Sequence, residues 1–98
     1  MVSIYVDNNS REDDKPIRRK HGGCDQYADA VLICKEIVNA SVQEYFDYDL
    51  DEQANLDRYV IWGESPWILP EPDGEHFSAF DYARERIREL IRLKPFLD

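Results

Sequence analysis

The chain has 98 residues, 43% apolar and 34% charged, with a net charge of −9. That length holds one domain with a single modest core, and no stretch approaches the roughly 20 apolar residues needed to cross a bilayer. An acid excess of this size repels phosphate backbones and anionic lipid, which argues against direct nucleic-acid or membrane binding and in favour of basic partners.

The charge is unevenly placed. Residues 25–81 hold fourteen acids against two bases, Lys35 and Arg58, whereas residues 1–24 and 82–98 each carry a small basic excess. The start, MVSIYVDNN, lacks the basic residues, long apolar run and small-residue cleavage site of a signal peptide. The expected location is the cytoplasm, with Cys24 and Cys34 as reduced thiols.

Val2 to Val6 alternates and is rich in β-branched residues, so it reads as a strand with Val2, Ile4 and Val6 on one face. The polar segment 8–23, with a proline and two glycines, is expected to be a mobile loop. A long helix is expected from Cys24 or Asp25, with Asp25 as N-cap. Tyr27, Val31, Cys34, Val38, Ser41 and Tyr45 recur at helical spacing, and Ala30, Ile33, Ile37 and Ala40 widen that stripe. Asp25, Asp29, Leu32, Glu36, Asn39, Gln43 and Asp47 form the opposite, acidic ridge. Residues 47–57 read as a connector and Arg58–Trp62, RYVIW, as the best strand, with Trp62 anchoring the core. GESP reads as a turn, Trp67–Leu69 as a short edge strand limited by Pro70 and Pro72, and Pro72-Asp73-Gly74 as a turn. Ser78 is expected to cap a last helix, with Asp81 three residues on. Its buried face is Phe80, Ala83, Ile87, Leu90 and Ile91. Asp81–Arg84, Glu85–Arg88 and Glu89–Arg92 are set for i,i+3 pairing. The expected fold is a single α+β domain over residues 1–98, in the order β-α-β-β-α. Its small antiparallel or mixed sheet carries two helices on one face.

Four constellations offer chemistry. Between Glu44 and Glu52, five acids fall in nine residues, with rings between them. Glu44, Tyr45, Asp47, Tyr48, Asp49, Asp51 and Glu52 suit a basic partner, because spaced carboxylates imitate phosphates and tyrosines supply interface anchors. Trp67, near an edge and two prolines, is a further candidate anchor. Asp47-x-Asp49-x-Asp51 imitates the start of a calcium loop, but Glu52 stands where the loop needs glycine and Arg58 where it needs glutamate. Next, Arg18, Arg19, Lys20, Gly22 and Gly23 precede the long helix and suit an anion or phosphate, without matching a phosphate-loop motif. Cys24 follows the basic run and His21, a setting for an activated thiol, with His76 a distant base; Cys34 reads as core. Finally, Arg84, Arg88 and Arg92 form a basic stripe suited to local pairing or to self-association.

No catalytic motif, metal-ligand spacing or cofactor motif is present in the sequence. In size and charge the chain is similar to the small acidic proteins with which phages and mobile elements block host enzymes. The expected function is a non-enzymatic binding module: a stoichiometric inhibitor or nucleic-acid mimic on a basic surface of a nucleic-acid-binding enzyme, with no cofactor. The alternatives are a phosphate- or nucleotide-binding domain or small enzyme using Arg18–Cys24, a structural or assembly protein, homo-oligomeric in form, and a toxin-neutralising immunity protein.

Overall fold

Six elements follow one another in the computed structural model, which describes residues 1–8 and 17–94: strands β1 (Val2–Asn8) and β2 (Ile17–Cys24), helices α1 (Tyr27–Tyr45) and α2 (Glu52–Trp62), strand β3 (Glu64–Leu69) and helix α3 (Ala79–Leu93). The class is α+β. The order is β-β-α-α-β-α, not the expected β-α-β-β-α, and there are three helices among the described residues where two were expected. None of these helices is long and apolar enough to cross a membrane.

β1 is the central strand, in the order β2-β1-β3, with both neighbours antiparallel. Its alternation works as the sequence predicts: Val2, Ile4 and Val6 are buried, and the residues between them are half-buried. Across the sheet Ile4 lies opposite Ile68 and Val6 opposite Pro66, which extends the apolar face onto β3.

β2 is a correction. Residues 17–23 fall in the segment expected to be a loop, yet they pair with β1; residues 9–16 of that loop lie outside the described residues. Polar edge strands lack the apolar alternation that marks a half-buried strand, so this one left no periodic signal. The register shifts between Ile4 and Tyr5, leaving His21 as the extra residue of a bulge.

α1 begins later than expected. Cys24 belongs to β2, and the N-cap is Gln26, which makes no side-chain capping bond, so Asp25 is not the cap. The predicted stripe is otherwise present: Ala30, Cys34, Val38 and Ser41 are buried, joined by Val42. Ala40 is the exception and is exposed.

The larger correction is α2. Residues 52–57, read as connector, and Arg58–Trp62, read as a strand, form one helix. Its buried side chains are Asn55, Leu56 and Tyr59, one helical turn apart, and Asp51 caps it by accepting a bond from the Ala54 N–H at 2.8 Å. Trp62 is therefore a surface residue at the helix end and not a core anchor. Gly63 ends the helix, donating its N–H to the Tyr59 carbonyl at 2.7 Å. A methyl group there would meet the Tyr59 ring at 2.6 Å, so the close approach requires glycine.

GESP does not form a turn of its own, because Glu64–Leu69 is strand β3. Pro66 is tolerated there for a local reason. Backbone N–H groups two residues apart point to the same side of a strand. The Glu64 N–H turns outward to the buried Ser41 Oγ of α1 at 3.0 Å, so the missing N–H of Pro66 faces the outer edge and removes no ladder bond.

The Pro72–Gly74 turn forms as expected, with Gly74 at φ +81 and the Glu75 N–H bonded to the Pro72 carbonyl. Ser78 caps α3, its Oγ accepting from the Asp81 N–H at 3.2 Å. The buried face of α3 is Ala79, Ala83 and Ile87, with Leu90 and Ile91 partly buried. Phe80, expected inside, is exposed beneath the Arg84 guanidinium. The expected i,i+3 pairs give way to others. Arg88 reaches Glu52 of α2 at 2.8 Å, and Glu89 pairs back with Arg86, which also bonds Asn39 of α1.

The core joins Val2, Ile4 and Ile68 of the sheet to Ala30, Cys34, Val38 and Val42 of α1, Leu56 and Tyr59 of α2, and Ala83 and Ile87 of α3.

Candidate functional site

The corner between α1 and α2 gathers most of the acidic-aromatic run. Its shape is set by one buried side chain, Asn55, which is 2% exposed. The Asn55 amide oxygen accepts from the Asp47 N–H at 2.7 Å. Its Nδ2 donates to the carbonyls of Asp47, Leu50 and Asp51 at 3.0–3.2 Å. A single amide thus ties both ends of the 47–51 loop: it pairs the Asp47 N–H and the Leu50 carbonyl, and adds a second bond to the Asp47 and Asp51 carbonyls, which also accept from the Leu50 and Asn55 N–H groups.

The acids of this corner divide into two sets. Asp47 Oδ1 accepts from the Asp49 N–H at 2.9 Å, Asp51 caps α2, and Glu52 pairs with Arg88. These three hold structure. The exposed carboxylates of Glu44 and Asp49 have no partner among the described residues. Between them Tyr48 is 44% exposed, with its ring edge-on to Phe46 at 4.7 Å. Lys94, at the end of α3, donates to the Tyr48 carbonyl and ties this loop to the last helix.

Tyr45 lies against Trp62, ring centroids 6.4 Å apart, and Arg58 is bonded to the Tyr45 carbonyl with its guanidinium 5.5 Å from the Trp62 ring. Trp67 sits elsewhere, on the sheet. It stacks on Tyr5 at 4.7 Å, and Arg18 lies 4.8 Å over its other side. The tryptophan that the fold brings to the acidic corner is thus Trp62.

The basic segment is engaged internally. Arg18 makes two bonds to Asp7, the shorter 2.7 Å, and Arg19 pairs with Glu64 at 2.5 Å. The Arg18 hydrogen bond is the main reason the Asp7 carboxyl stays below its ordinary value. The Trp67 indole N–H adds to that lowering without closing a bond of full geometry. Lys20, Gly22, Gly23 and Cys24 line a surface depression of about 610 Å³, but Asp25 and Asp29 line it too and oppose an anion.

The two thiols differ in burial. Cys34 is fully buried, and burial pushes it up to about 11; Cys24 is half-buried against the core. His76, the imagined base, is bonded to Glu71 at 2.8 Å. Glu71 also accepts from the Tyr27 hydroxyl at 2.7 Å and the Phe77 N–H at 2.9 Å. Burial works to raise the Glu71 carboxyl, and these three bonds together hold it below its ordinary value. The result is a clasp between loop 70–78 and the start of α1. No group of three or more His, Cys, Asp or Glu side chains among the described residues gathers as metal ligands.

Two features of this corner escaped the sequence. The role of Asn55 left no trace, since a buried asparagine looks like any other polar residue. Val60, Ile61 and Trp62 had a signal, three large apolar residues in succession after the helix formers EQANL, but their β-branched and aromatic character pointed to a strand. Compared with family models, curated proteins and solved structures, the chain shows no match.

Proposed function

We propose that this chain is a protein-binding module, acting as a stoichiometric inhibitor or nucleic-acid mimic. It occupies a basic surface of a nucleic-acid-binding protein, in the manner of phage or mobile-element products, within the cytoplasm. One observation carries the proposal: the end of α1 presents Glu44 and the loop held by Asn55 presents Asp49, both carboxylates without partners among the described residues, with the exposed ring of Tyr48 next to Asp49 in the chain. Carboxylates fixed in place next to an aromatic surface complement a basic groove that ordinarily takes phosphates and bases. The anion-binding alternative has less support, because Arg18 and Arg19 already serve Asp7 and Glu64.

The test is affinity capture at low and high salt with the wild-type chain beside Glu44→Lys/Asp49→Lys. These two positions leave the cap on α2 and the Arg88 pair intact. The proposal expects a bound basic protein that is lost at high salt and in the double variant. Partners retained equally in all arms would remove it.

A further inference from the structure

The outer side of α2 changes character along its length. Its first turns expose Gln53 and Asp57, bonded to each other at 3.0 Å; its last turn exposes Val60 (45%) and Ile61 (52%) on that side, with Trp62 (41%) farther round the helix against Tyr45. Three consecutive large apolar residues on the surface of a charged protein lose free energy to water unless something covers them, roughly 25 cal/mol per Å² of apolar area. Folding does not require this exposure, because the helix already buries Asn55, Leu56 and Tyr59 on its other side. Trp62 is also braced, by the Tyr45 ring and by Arg58, whose Nε is bonded to the Tyr45 carbonyl. A braced aromatic in a partly desolvated setting has the character of an interface anchor.

We infer that the C-terminal turn of α2 is a docking surface for another protein, one that offers apolar side chains flanked by lysine or arginine. The charge around the patch selects that partner. Exposed acids flank it: Asp57, one turn back on α2, and Glu44, next in sequence to Tyr45, whose ring meets Trp62. The nearby base, Arg58, is held internally. A second copy of this chain is the poorer occupant. A two-fold contact would place the same patch, with its exposed acids, on both sides of the interface in a molecule of net charge −9. The inference deepens the proposed binding function and adds an apolar anchor beside its acidic corner.

The probe is a synthetic helical peptide with leucine on one face and lysine on the other, compared with an oligolysine of equal charge. Trp62 fluorescence and calorimetry follow binding, with Trp62→Phe as the control for Trp67. The wild-type chain is expected to bind the leucine-lysine peptide at least about tenfold tighter than oligolysine, a difference of about 1.4 kcal/mol. Val60→Ser/Ile61→Ser is expected to lose that preference while keeping its weak affinity for oligolysine. Glu44→Lys/Asp49→Lys is expected to weaken both peptides. If only the serine variant has an effect, the apolar surface stands and the acidic-corner function falls. Equal affinity for the two peptides, or a serine variant that keeps the preference, would overturn the inference. So would sedimentation showing a wild-type dimer that the serine variant dissolves, because the patch would then be a self-contact.

Discussion

Asn55 makes four hydrogen bonds with one amide, and each ends on the backbone of the loop that carries the acids. Asn55→Ala removes the amide that pairs the Asp47 N–H and the Leu50 carbonyl and is expected to cost about 2 kcal/mol in urea unfolding. Asn55→Asp supplies no donor for the three carbonyls and is expected to cost at least as much. Gly63 works by absence: any Cβ meets the Tyr59 ring and carbonyl, so Gly63→Ala is expected to lose about 1–3 kcal/mol through overpacking. The two thiols differ by burial, and Cys34 is pushed up to about 11. Titration of the native protein with a thiol-specific disulfide reagent should therefore find Cys24 well before Cys34, which should react on the timescale of unfolding. Equal rates at both would contradict the buried placement of Cys34.

At the scale of elements, α2 and α3 begin in the same way, with an acceptor side chain on the N–H three residues on. Asp51→Ala should cost about 1 kcal/mol, whereas Asp51→Asn, which keeps a capping oxygen, should cost much less. That contrast, read by thermal melting, separates the structural role of Asp51 from its charge. Ser78 could be read from sequence, because a Ser-x-x-Asp pattern precedes an amphipathic run of clear helical period. β1 could be read too, since one face is buried and the other is not. α2 was not, because its buried residues are few and its exposed end is apolar, so the pattern that marks an amphipathic helix is blurred. β2 was not, because a charged edge strand has no buried side to alternate with. Arg84 and Arg88 were placed on the right helix; Phe80 reaches Arg84 at i,i+4 within α3, whereas the Arg88 partner, Glu52, depends on which groups packing brings near. Of the corner, Glu44, Tyr48 and Asp49 could be picked out as exposed candidates. The loop-ordering Asn55 and the position of Trp62 depend on how α2 returns along α1.

Over the whole molecule, charge is segregated. The loops 46–51 and 70–78 each hold three acids and no lysine or arginine, while β2 and α3 are basic in balance. Stability should follow this arrangement at low pH. Asp7 and Glu71 both have carboxyls held below their ordinary values, so the stability they add is present above roughly pH 4 and drains away as pH falls through their folded values. Acid unfolding should therefore move to higher pH in Asp7→Asn and in Glu71→Gln, and tests by circular dichroism should show each variant already weakened at neutral pH. The acids of the corner act on the other side of this balance: set close together, they repel one another, and the basic surface proposed as their partner would relieve that repulsion. The most direct test measures the dissociation constant for the captured partner across a salt series, with wild-type chain and with Glu44→Lys/Asp49→Lys. A steep loss of affinity with salt in the wild type, and a shallow dependence with weak binding in the variant, is the predicted result. Two parallel lines of equal affinity would contradict it.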